Sequence, residues 1–154
     1  MSNEVELKLA VTPDAFDILK THLDQFNILE QNTIFLGNTY FDYPDHFLAQ
    51  QKMGLRVRRE NNDFTLTLKT DGKVVGGLHS RPEYNLSIPD DSVPTSAQLT
   101  SLYPFEHLPS STLQPIFSTD FNRTFWLIAF GASKIEVAFD QGKILSGEKT
   151  QPIC

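Results

Sequence analysis

Leu55-Arg56-Val57-Arg58-Arg59-Glu60-Asn61-Asn62-Asp63-Phe64-Thr65-Leu66-Thr67-Leu68-Lys69 reads as two strands and the turn between them. Apolar and polar side chains alternate on both sides of the polar tripeptide, and a period of two belongs to strands with unlike faces. Asn61-Asn62-Asp63 supplies the turn chemistry of a hairpin. Arg56 and Arg58 share one face, with Leu55 and Val57 on the other. Thr65, Thr67 and Lys69 alternate with Leu66 and Leu68 in the same way.

The pattern recurs outward from this hairpin. Glu4, Glu6 and Lys8 alternate with Val5, Leu7 and Leu9; Arg81 and Glu83 are two residues apart; Glu136 and Ala138 alternate with Ile135, Val137 and Phe139. A single strand of this kind is an ordinary solvated face, and a pair such as Arg81/Glu83 is a surface ion pair worth less than about 1 kcal/mol. Repetition in five strands implies a closed sheet, its apolar faces packed outside and its charged faces pointing at one another. Cations facing inward repel in a partly desolvated interior, so an anion must balance them. Phosphate oxygens suit guanidinium and ammonium groups. Glutamates in the same interior call for a hard cation, Mg²⁺ or Mn²⁺. The combination points to metal-assisted phosphoryl chemistry on a small molecule.

The remaining sequence fits one domain, residues 1–154, mostly strand with a few helices. A first strand is expected over Val5–Val11 and an amphipathic helix over 13–26, where Thr12 caps and Pro13 starts it. Further strands are expected over Thr33–Asp42, Leu78–Ile88, Ile116–Phe130, Lys134–Asp140 and Lys143–Ser146, with breaks at Gly131 and Gly142. Short helices are expected near 45–52, ended by Gly54, and near 96–103. Gly76-Gly77 reads as a bend, not a phosphate loop, because no Lys-Ser/Thr helix follows. Net charge is −6, which argues against a nucleic-acid surface. No apolar run approaches the ~20 residues that span a bilayer. Without a secretory signal pattern, and with Cys154 as the one cysteine, a cytoplasmic location is expected. His22, His46, His79 and His107 fall at no mutual ligand spacing and read as structural or surface residues.

Taken in order, Glu4-Val5-Glu6-Leu7-Lys8, Thr39-Tyr40-Phe41-Asp42, Leu55-Arg56-Val57-Arg58, Thr67-Leu68-Lys69, Arg81-Pro82-Glu83, Arg123 and Ile135-Glu136-Val137-Ala138-Phe139-Asp140 resemble the CYTH superfamily, the triphosphate tunnel metalloenzymes. The resemblance covers essentially the whole chain and looks closest to the bacterial inorganic triphosphatases. It implies an α+β, predominantly β fold: an antiparallel eight-stranded barrel with flanking helices. It also implies hydrolysis of a triphosphate with Mg²⁺ or Mn²⁺. Carried over, it makes Glu4, Glu6 and Glu136 metal ligands and places Lys8, Arg56, Arg58, Lys69, Arg81 and Arg123 on phosphate oxygens, Lys8 and Arg58 being catalytic. Glu83 is expected to orient Arg81 or a neighbour, and Asp140 to be a ligand or a turn former. Family members continue into a final strand with another ExE pair. This sequence stops where that strand would begin, so a missing last strand, weak activity and self-association through an open sheet edge are expected.

Thiamine-triphosphate hydrolysis, RNA 5′-triphosphate removal, an adenylate-cyclase-like activity, or a non-catalytic polyphosphate- or nucleotide-binding module remain open. A lipocalin-like carrier does not fit, because its interior would be apolar. The two residue classes should separate kinetically: Glu6→Ala should abolish metal-dependent turnover while triphosphate still binds, whereas Arg58→Ala should weaken binding and turnover together. Steady-state rates and titrations of both variants check this; near-normal rates in both would make these residues structural.

Overall fold

The computed structural model describes residues 2–154. In chain order the elements are β1 (Ser2–Leu7), α1 (Ala15–Leu23), β2 (Asn27–Asp42), α2 (Phe47–Gln50), β3 (Gly54–Glu60), β4 (Asp63–Lys69), β5 (Lys73–Val75), β6 (Leu78–Ile88), α3 (Ser96–Leu102), β7 (Gln114–Phe130), β8 (Ser133–Ser146) and β9 (Lys149–Ile153). They form two compact units. One holds the described residues through Lys8 together with Gly37–Ser118; the other holds Leu9–Leu36 and Thr119–Cys154. The long strands β2 and β7 contribute residues to both.

In the first unit the strand order is β1-β6-β4-β3-β2, with β5 paired to β6. These strand pairs are all antiparallel. The hairpin expected over 55–69 forms β3 and β4, and Asn61 in its turn takes φ 55°, a conformation Asn tolerates. Leu55, Val57, Leu66 and Leu68 lie on the apolar face and are fully buried with Leu48 of α2 and Leu99 of α3. The helix α3 starts on a capping box, in which Thr95 and Gln98 satisfy each other's backbone N–H groups. At β1 the expected packing does not occur. Val5 and Leu7 are 59% and 60% exposed, while Glu4 and Glu6 on the opposite face are half-buried.

The second unit has the strand order β2-β7-β8-β9. Its core joins Leu23 of α1 to Trp126 and Ile128 of β7 and Phe139 of β8. The Phe16 ring sits 5.9 Å from Trp126 and 5.3 Å from Phe139.

Several boundaries differ from the sequence expectations, each for a local reason. The first strand ends at Leu7, and α1 is capped at Asp14, whose carboxylate accepts a hydrogen bond from the Thr12 hydroxyl. Gly54 opens β3; Lys52, at φ 57°, supplies the left-handed residue after α2. Gly142 does not divide two strands but lies inside β8. A Cβ there would sit 2.0 Å from the Asp120 carbonyl oxygen, so the glycine permits close backbone approach. β5 and β9 were not expected. A Gly76-Gly77 turn, φ 58° and 83°, folds β5 onto β6, and β9 pairs with the end of β8.

Truncating Leu68, which is 0% exposed, should destabilise the protein by about 2–5 kcal/mol. Val5→Ser on the uncovered face should stay within about 0.5 kcal/mol of the parent. Urea unfolding of the two variants checks the contrast; equal losses would show that the face of β1 is covered.

Candidate functional site

The register of the first unit carries one face of its sheet from strand to strand. Glu4 lies opposite Arg81 and Glu6 opposite His79; Lys69 lies opposite Glu83 and Thr67 opposite Asn85. Arg56 lies between Thr67 and Tyr40, and Arg58 between Thr65 and Asn38. Cross-strand partners point to the same side, so Glu4, Glu6, Lys69, Arg56, Arg58, Arg81 and Glu83 share the face opposite the apolar core. In β3 and β4 charge reaches this face because the other side is taken by buried leucine and valine.

The side chains are tied into a network. Lys69 Nζ donates to Glu4 Oε1 at 2.7 Å. Lys8 reaches Glu6 at 3.1 Å from a largely exposed position. Arg58 Nε donates to Asn38 Oδ1 at 2.7 Å, and the Thr67 hydroxyl donates to Asn85 Oδ1 at 2.7 Å. Arg81 donates from Nε to the Thr70 carbonyl at 2.9 Å and from Nη2 to the Lys52 carbonyl at 3.1 Å. Arg56 differs from all of these: its Nε is buried and has no hydrogen-bond partner among the described residues. A buried N–H of this kind costs free energy until an acceptor arrives.

The two carboxylates beside Lys69 titrate in opposite directions. Burial pushes Glu4 up, but hydrogen bonds from Glu83 and Lys69, the Lys69 charge and a bond from Glu6 outweigh it and hold Glu4 at about 2. Burial raises Glu83, and its hydrogen bond to Glu4 and the Glu4 charge raise it further, against the opposing pull of Lys69 and Asn85. Glu4 is thus held in its ionised form, while Glu83 is drawn toward its protonated one. Glu83 thus works on Glu4 and Lys69; among the described residues no bond joins it to Arg81.

In the second unit Arg123 forms a two-pronged ion pair with Asp140, at 2.8 and 2.9 Å, and lies 5.6 Å from the centre of the Phe121 ring. Asp140 is therefore neither a turn former nor unpaired. Glu136, two alternations before Asp140 on β8, is exposed, as is Lys134. Among the described residues, no group of three or more His, Cys, Asp and Glu side chains is arranged to hold a metal ion.

Residues to which the sequence reading gave no site role complete the face. Asn38 is 2% exposed and orients Arg58. Tyr40, beside Arg56, stacks on Phe117 with ring centres 4.5 Å apart and planes 14° apart. Both belong to the alternation Asn38, Tyr40, Asp42, legible in β2 once its polar face is counted from Asp42 backward. Asp42 sits at the strand end, where its carboxylate accepts the backbone N–H groups of Tyr43, Leu48 and Ala49 at 2.7, 2.9 and 3.1 Å.

With the strand order and the charged face described, the family match is informative: the CYTH domain family matches residues 2–151. The chain belongs to the CYTH family. It is similar to a protein of Haemophilus influenzae (strain ATCC 51907 / DSM 11121 / KW20 / Rd) named inorganic triphosphatase, 68% identical over 153 residues. That match takes in 99% of this chain and 44% of the relative, so the chain spans less than half of the relative's length. Among solved structures it resembles a Hippeastrum protein proposed as an adenylyl cyclase and described as having a dominant triphosphatase activity. The TM-score is 0.58 at 17% identity, over 96% of this chain and 74% of that one. A protein from Pyrococcus horikoshii OT3 gives 0.58 at 16% identity, over 97% and 74%. These two structures bear on the fold alone. As a CYTH member the chain has the expected mostly antiparallel strand architecture with few helices.

The Glu4 shift gives a pH prediction. Its folded-state value lies below the free carboxyl's 4.5, so the stabilisation from Lys69 and Glu83 is complete above that value and is lost as pH falls toward 2. Glu4→Gln should flatten the acid limb of the stability curve between those limits. Glu83 is raised, so its ionisation costs stability as pH rises, and Glu83→Gln should leave the protein no less stable at pH 7. Thermal unfolding from pH 2 to 7 with chelator present measures both; an unchanged acid limb in Glu4→Gln would remove Glu4 from the account.

Proposed function

We propose that this chain hydrolyses a triphosphate, inorganic triphosphate being its first substrate, to diphosphate and orthophosphate. The carrying observation is the buried Nε of Arg56, which has no hydrogen-bond partner among the described residues, on a face that also bears Arg58 and Lys69. An oxyanion supplies the missing acceptor, and a chain of phosphates presents several at once. The similarity to the Haemophilus triphosphatase supports the same reading.

Each residue has a task in this reading. Arg56 and Arg58 engage phosphate oxygens with fixed N–H forks, Arg58 being pre-aimed by Asn38. Lys69 and the more exposed Lys8 add positive charge where the transferred phosphoryl group becomes more negative. Water attacks the terminal phosphorus, the anhydride P–O bond breaks, and diphosphate leaves while the water's proton passes to solvent.

The donor set fits a divalent cation. Glu4 and Glu6 occupy alternate positions of one strand face, and Glu4 and Glu83 are near enough to push each other's titration in opposite directions. Mg²⁺ binds through one or two carboxylates, with phosphate oxygens and water filling its shell, so the lack of a three-carboxylate cluster does not oppose it. Glu4 and Glu6 would hold the ion, which when bound would neutralise phosphate charge. For Glu136 and Arg123, in the second unit, the ligand roles rest on family resemblance.

A second reading has one observation behind it. Tyr40 and Phe117 form an aromatic pair beside Arg56, which favours a triphosphate carrying a ring, such as thiamine triphosphate or ATP.

Phosphate release from tripolyphosphate, thiamine triphosphate and ATP, each with Mg²⁺, Mn²⁺ and chelator, tests these readings. Tripolyphosphate should be cleaved fastest and only with metal. Arg56→Met should raise its KM about 10–150-fold, the equivalent of one charged hydrogen bond of about 1.5–3 kcal/mol. Binding without phosphate release would return the chain to a polyphosphate-binding module; neither binding nor release would end the proposal.

A further inference from the structure

Arg81 faces the polar side of β6, yet its guanidinium is bound to backbone. Its Nε donates to the Thr70 carbonyl at 2.9 Å, and its Nη2 donates to the Lys52 carbonyl at 3.1 Å, with the Lys69 carbonyl at 3.5 Å. These carbonyls belong to two separate segments. Lys52 closes the turn after α2 in a left-handed conformation, and α2 itself is pinned by the Asp42 carboxylate. Lys69 and Thr70 are where β4 ends, and Thr70 N also donates to the Pro82 carbonyl at 3.1 Å. The stem of Arg81 is enclosed as well: a Cβ on Gly72 would lie 2.6 Å from Arg81 Cγ and 2.0 Å from the Ser80 carbonyl oxygen. Chain and side chain interlock at this point, and the residue they hold is Lys69, whose Nζ meets Glu4.

We propose that Arg81 is a positioning residue, which ties the turn at Lys52 to the end of β4 and so sets Lys69 against the phosphates, and is not itself a phosphate ligand. This rests on the triphosphate reading above. The alternative is a direct contact through Nη1, the guanidinium nitrogen with no partner among the described residues.

Charge and geometry separate the two. A lysine at position 81 keeps the positive charge but not the planar fork that spans two carbonyls. Tripolyphosphate binding by calorimetry, with Mg²⁺, is measured for the parent, Arg81→Lys, Arg81→Ala, Lys69→Met and the double variant Lys69→Met/Arg81→Ala. If Arg81 positions Lys69, Arg81→Lys weakens binding as much as Arg81→Ala. The double variant then stays within about 2-fold of Lys69→Met alone, because the two act as one unit. If Arg81 touches phosphate, Arg81→Lys retains most of the affinity and the two losses multiply, which overturns the proposal. Hydrogen exchange without tripolyphosphate provides a readout independent of function. Arg81→Lys should speed exchange of Met53 and Thr70 at least 10-fold while amides of the β3–β4 hairpin are unchanged, and unchanged exchange at both sites overturns the brace. A parent that binds no tripolyphosphate ends the triphosphate reading and the role given to Lys69, whereas the brace stands or falls on the exchange result alone.

Discussion

The two faces of a strand are one residue apart in sequence and on opposite sides of a sheet in space. In the first unit one face is sealed: Leu55, Val57, Leu66 and Leu68 are buried beneath α2 and α3. A slip of one residue by β3 against β4 would turn Arg56 and Arg58 into that core. The cost of burying those two charges fixes the register, and the fixed register fixes the site. Everything else follows from having one face dry and the other free to carry charge.

Charge on the free face is then organised by its own chemistry. Lys69 is bonded to Glu4, and burial together with the neighbouring Glu4 pushes Glu83 up while Glu4 is held down. Arg58 is held by Asn38, Arg81 by three carbonyls. The result is a face on which most cations have a protein partner that aims them. Among the described residues Arg56 Nε is the exception, and burial makes that exception costly. Under the triphosphate reading proposed above, these polar groups are set before the ligand, so little reorganisation is needed when it binds.

Much of this was legible in the residue order, because alternation is a local property. Arg56/Arg58, Thr65/Thr67/Lys69 and Glu4/Glu6 needed only a period of two to be placed on common faces, and the hairpin around Asn61 needed only its turn residues. What failed was punctuation. Gly142 looks like a break in the sequence but is a point of contact with Asp120 in the fold, and only a packed neighbour reveals the difference. Val5 and Leu7 look like a buried stripe, yet both are more than half exposed.

The sequence by itself determined which residues share a face and that the chain is mostly strand. Local periodicity and side-chain chemistry suffice for that. The tertiary structure alone decided which charge meets which: that Glu83 partners Glu4 and not Arg81, that Asp140 is occupied by Arg123, and that Arg81 turns toward backbone carbonyls. Those pairings join residues up to 79 positions apart, Glu4 to Glu83. Register and the reach of individual side chains set them, and neither is encoded within any one strand.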